Sequence, residues 1–172
     1  MQPALKIFWD IALWRRGPRD VPASWSLLCA VAMAYVATSV LQSVAIFGPD
    51  LALERGLADL ALTAVVFWGC LTVRRRGYRA LQTLTAVLAT GTVVAVPMLA
   101  LMLLSQALGT DGPAALAVQF GLLPLQVWYL LVLGRIVRLA LDAPLLTGMA
   151  VAMSYLALNY LVLVELPKAV IG

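Results

Sequence analysis

The stretch LALTAVVFWGCLTV-RRRGYR-ALQTLTAVLATGTVVAVPMLALMLLSQAL, residues 60–108, decides the fold. Fourteen uncharged, mostly apolar residues run up to four arginines, Arg74, Arg75, Arg76 and Arg79, and twenty-nine further residues follow without a charge. A helix needs about 20 apolar residues to cross a hydrocarbon layer of about 30 Å. Two such helices joined by a short basic link read as a membrane hairpin. Outward from it the same pattern recurs, giving spans at 25–47, 53–73, 80–108, 114–133 and 145–166.

Composition agrees: 63% of the residues are hydrophobic and 12% charged, with a mean hydropathy of +0.98, values foreign to a water-soluble domain. The expected fold is an all-α membrane protein of five transmembrane helices with an N-terminal interfacial amphipathic helix. It forms one domain over residues 1–172, divided into an interfacial helix and turn at 1–22 and a five-helix bundle at 23–172.

Orientation follows from charge, because loops retained in the cytoplasm keep Lys and Arg. Lys6, Arg15, Arg16 and Arg19 precede span one. Arg74, Arg75, Arg76 and Arg79 join spans two and three, and Arg135 and Arg138 join spans four and five. That places ten of the twelve basic residues on one side, leaving Arg55 and Lys168 opposite, with Asp50, Glu54, Asp111 and Glu165. The chain is expected in a bacterial inner membrane, N-terminus cytoplasmic and C-terminus periplasmic or extracellular; its Arg-over-Lys and Ala/Leu/Val bias suits a GC-rich genome. The formal charge of +4 does not mark a nucleic-acid binder, since the basic residues flank span ends, where orientation and anionic lipid account for them.

Ser43 and Ala45 have a spacing that a signal peptidase accepts, but the preceding apolar run exceeds the usual signal core of about 7–15 residues, and an uncleaved first span is expected. Residues 4–16, with Leu5, Phe8, Trp9, Ile11 and Trp14, are too few to span and read as a helix lying in the interface, ended by Gly17 and Pro18.

Candidate sites are few. The chain has no histidine, and Cys29 and Cys70 lie inside spans, where they read as small apolar residues; no catalytic residue, metal site or cofactor is expected. Asp59 lies near one end of span two with Arg55 four residues earlier on the same face, and the two are expected to satisfy each other. Pro97 and Pro124 interrupt the bonding of spans three and four, with Thr90, Gly91 and Thr92 placed to serve a freed carbonyl. Gln42, Gln82, Ser105, Gln106, Gln119, Gln126, Ser154 and Asn159 read as interhelical glue, and Asn159 with Tyr155 and Tyr160 is the most site-like group. Gly148 with Ala152, and Ala150 with Ser154, give span five faces on which a neighbouring backbone can come close. Asp59, Gln119, Gln126 and Asn159 are therefore the candidate intramembrane polar contacts. Arg74, Arg75, Arg76, Arg79, Arg135 and Arg138 are candidate contacts for anionic lipid headgroups or an acidic partner.

The glycine-led GYRALQTLTAV at 77–87, the proline at 97 and the run WYLLVLGRIVRLALDAPLLTGMAVAMSYLAL at 128–158 give the chain a resemblance to the Yip (Ypt-interacting protein) membrane family and its bacterial relatives. The resemblance implies five spans and a cytoplasmic N-terminus, an architecture more than an activity. The expected role is a non-enzymatic, membrane-organising or partner-binding subunit, contacting membrane lipids and another membrane protein or a second copy of itself. Two other classes stay open: a small transporter or channel component with a polar path past Gln119, Gln126 and Asn159, and an intramembrane lipid-modifying enzyme using Asp59 or Glu165.

Overall fold

The computed structural model describes residues 4–108 and 112–165, without the side chains of Ala4, Ala114, Ala115, Gln119 and Val164. It comprises a short helix α1 (Ala4–Ala12) and five long ones, α2 (Trp25–Phe47), α3 (Ala52–Val73), α4 (Ala80–Ala107), α5 (Pro113–Leu141) and α6 (Leu145–Tyr160), the last continued as a wider π turn over Leu161–Glu165. All five long helices, α6 with its π turn, are long and apolar enough to cross a membrane. Lys168 and Asp111 lie outside the described residues.

The helices start and stop for local reasons. Ser24 caps α2 by accepting from the Leu27 amide, and Pro113 opens α5 at a position where its missing N–H costs nothing. Asp142 ends α5 in the left-handed region, at φ 47°, a conformation that Asp tolerates better than most side chains. Span four therefore runs eight residues further at this end than the sequence suggests. Arg135 and Arg138 stand in the final turns of a helix, and the connection to α6 is only Asp142–Pro144 long. At 1.5 Å per residue α4 and α5 are each about 42–44 Å long, which outreaches the hydrocarbon layer and lets the end of α5 carry Arg135 and Arg138.

Around the bundle the helices follow one another as α2, α4, α5, α6 and α3, with α3 returning to α2. The first half of α4 is the most buried segment: Leu84, Ala86, Val87, Leu88 and Ala89 are each at most 3% exposed. Most other helices are buried on one stripe and present Met33, Val65, Leu123 and Leu146 outward, as lipid permits. Helices α5 and α6 meet through glycine. A Cβ on Gly148 would collide with the Gly134 carbonyl and lie 2.9 Å from the Arg138 amide nitrogen, so the approach tolerates no side chain there. Ala152, one turn on, is wholly buried.

The N-terminal segment docks on the bundle. Phe8, Ile11 and Ala12 are buried, whereas Leu5, Trp9 and Trp14 are exposed, and α1 lies against α4. The helix stops at Ala12 rather than continuing to residue 16. Trp14 takes a positive φ of 66°, the amides of Arg15 and Arg16 both donate to the Asp10 carbonyl, and the Asp10 carboxylate pairs with Arg16 Nε at 3.3 Å. Gln82 on α4 then holds the following turn by donating to the Val21 carbonyl at 3.0 Å.

Both internal prolines sit inside continuous helices. The threonines before Pro97 do not take up the role expected of them: Thr92 donates to the Leu88 carbonyl at 2.9 Å, and the Thr90 hydroxyl is buried with no partner.

Candidate functional site

A cavity of about 420 Å³ opens between all five long helices. Helix α2 contributes Tyr35, Thr38, Ser39 and Gln42, residues that recur at helical spacing and so share one face. Helix α3 contributes Asp59, α5 contributes Gln126 and Tyr129, and α6 contributes Tyr155, Asn159 and Tyr160. The wall formed by α4 carries Gly91, Val94, Ala95 and Met98. Gly91 makes the room: a Cβ there would stand 2.7 Å from the Tyr35 ring and 3.5 Å from the Tyr129 hydroxyl.

Asp59 is the centre of the polar network. Asn159 Nδ2 donates to its Oδ1 at 2.6 Å, Tyr155 reaches the same oxygen at 3.4 Å, and the Ser39 hydroxyl donates to Oδ2 at 2.9 Å. Behind it the Thr63 hydroxyl meets that of Tyr155 at 2.8 Å, and the Tyr155 ring rests on Phe67 with centroids 5.1 Å apart. One carboxylate thus ties α2, α3 and α6 together, seven residues into α3, about 10 Å from its start. Half-burying a carboxylate among apolar helices is costly unless its oxygens are bonded, and here they are.

The expected Arg55–Asp59 pair does not form. Arg55 turns toward the start of α3 and lies over the Phe47 ring, 4.2 Å from its centroid, with Nε and Nη1 buried and unbonded. The cation–π contact and the pull of the polar boundary draw it away, while three donors from other helices occupy Asp59. Gln126, Asn159 and Asp59 therefore share one cavity; the Gln119 side chain lies outside the described residues. Other amides act across helices, Gln42 donating to the Ala95 carbonyl at 3.5 Å and Gln106 donating to the Ala45 carbonyl. Cys29 is exposed, and Cys70, half-buried, borders a shallow apolar groove of about 240 Å³ between α3 and α6.

At the other end of the bundle the arginines divide into three sets. Asp142 accepts from Arg19 and Arg76, and from Arg79 Nη1 at 3.0 Å, which also reaches the Ala140 carbonyl. These guanidiniums, Arg76 first, hold the Asp142 carboxyl below the usual carboxylate range. Arg135 donates to the Arg16 carbonyl at 3.1 Å and faces the Trp14 ring. Arg74, Arg75 and Arg138 are exposed and make no ion pair among the described residues. The N-terminal segment, the α3–α4 link and the α5–α6 turn consequently meet at one end, as five spans require.

Neither Asp142 nor the cavity-lining Tyr35, Thr38, Ser39 and Tyr129 stand out in the sequence as site residues. The stripe Tyr35, Ser39, Gln42 was available as a signal, polar positions four and three apart on an otherwise apolar span. No protein-family model, no curated protein and no solved structure matches this chain.

Proposed function

We propose that the chain is a non-enzymatic integral membrane protein that binds a small polar solute inside its bundle, as a small transporter or channel component. The observation that supports this reading is the cavity itself, where polar side chains from α2, α5 and α6 line one space with the Asp59 carboxylate of α3; intramembrane acids facing an interior space commonly mark solute or ion pathways. The proposed setting is a bacterial inner membrane with the N-terminus and the arginine-rich end cytoplasmic, and the cavity in the half of the bundle nearer the outside.

The test is passage of small polar solutes into vesicles containing the purified protein. The parent should admit a solute that protein-free vesicles exclude, and Ala95→Phe, which fills the cavity from the α4 wall, should abolish entry. Entry unaffected by Ala95→Phe, or no entry for any solute, would contradict the reading.

A second reading, a membrane-organising or partner-binding subunit, draws support from the groove between α3 and α6. Its small residues Ala150 and Ser154 face outward, whereas Gly148 and Ala152 are already used inside. A stoichiometric membrane partner recovered in mild detergent, and lost on Ala150→Leu, is the result this reading expects.

A further inference from the structure

The composition of the cavity wall narrows its ligand. Asp59 is the one carboxylate among the described lining residues, and the lining contains no Lys or Arg. Among the described residues no basic side chain comes within ion-pair distance of Asp59; Arg55 is held aside on Phe47. Asp59 therefore stands in the lining with no cationic partner among the described residues. Four tyrosines, Tyr35, Tyr129, Tyr155 and Tyr160, share the wall with it. Aromatic rings next to a carboxylate favour a weakly hydrated cation over a neutral solute.

Resting on the proposed solute-binding role, we propose that the cavity takes a monovalent organic cation of the substituted-ammonium class, its charge against Asp59 and its alkyl groups among the tyrosines. A bare divalent ion suits the site poorly, because Ca²⁺ seeks six to eight oxygen ligands and Mg²⁺ a tight octahedron, typically with more than one carboxylate. At about 420 Å³ the space also falls within the range of pockets for small organic molecules. Asn159 and Ser39 hold the carboxylate in place, and Gln126 offers an amide to a polar tail.

The experiment measures binding of choline and of its neutral carbon isostere to the purified protein in lipid nanodiscs. Choline should bind, the isostere should bind at least about tenfold more weakly, and Asp59→Asn should weaken choline about thirtyfold or more. Tyr129→Phe should keep affinity and Tyr129→Leu should lose about tenfold, since only the ring is at issue. The comparison of the two probes on the parent needs no variant to fold. Equal binding of both probes, lost in Ala95→Phe, would overturn the cation assignment and leave the solute cavity standing. Displacement of choline by sodium at equal concentration would overturn the organic class. If neither probe binds while vesicles still admit solute in an Ala95-dependent way, the ligand class falls alone.

Discussion

Asn159 on α6 donates to Asp59 on α3 at 2.6 Å, across a hundred residues of sequence. The contact closes the ring of helices at the α3–α6 side, where packing is thinner than between α2 and α4 or α5 and α6. It is both a fastener and part of a cavity wall, and the two roles are separable. Asn159→Ala removes one charge-assisted hydrogen bond and is expected to cost about 1–2 kcal/mol in detergent unfolding. Asn159→Asp should cost more, because it sets a second carboxylate against Asp59. Equal stability of both variants and the parent would mean that the network does not hold the bundle.

The close crossing of α5 and α6 gives a sharper stability test. At Gly148 a single methyl group meets backbone of α5, which cannot swing aside as a side chain could. Gly148→Ala is expected to lower stability by about 1–3 kcal/mol, whereas Gly69→Ala, in open space on α3, should change little. A comparable loss at both positions would argue against the packing described.

Asp142 clamps the arginine-rich end, and its depressed carboxyl sets the pH dependence. A carboxylate with a lowered folded-state pKa adds stability that is fully present above its unfolded value of about 3.9 and disappears as pH falls through the folded value. Asp142→Asn should therefore melt lower than the parent near neutrality, and the difference should vanish well below about pH 4. High salt should shrink it too, because the cluster is exposed. A difference that persists at low pH would assign the effect to something other than the ion pairs.

Topology is checked with a reporter active only outside the cytoplasm. Fused after Gly172 it should be active, and fused after Arg76 it should be silent. A silent C-terminal fusion would contradict the proposed orientation.

Much of the fold was legible because apolar length and charge placement are local properties. Span one was read at its observed bounds, and spans two and three within one residue at one end. The end of α5 is not legible in the sequence, because Arg135 and Arg138 look like loop residues. Arg135 is tolerated in the helix through contacts no local pattern reveals, the Arg16 carbonyl and the Trp14 ring, and Arg138 stands exposed at the helix end. The N-terminal helix was overextended because the Asp10–Arg16 closure replaces a local stop signal. Within the site, Asn159 and Tyr155 were recognisable as polar positions one turn apart. The sequence neighbourhood of Asp59 offers Arg55 as a partner, whereas its three donors lie 20 to 100 positions away on other helices. Spacing shows which residues share a face; it does not show which faces meet.

The most direct test of the central claim, a polar cavity reachable by solutes inside the membrane, is labelling of a cysteine in its wall. In a background of Cys29→Ser and Cys70→Ser, Ser39→Cys is compared with Val65→Cys, which projects outward from α3 at 70% exposure, using a small cationic thiol reagent on protein in lipid vesicles. The account predicts rapid reaction at position 39, little at position 65, and slowing at position 39 when Ala95→Phe fills the cavity. A position 39 thiol that reacts no faster than the one at position 65 would contradict it.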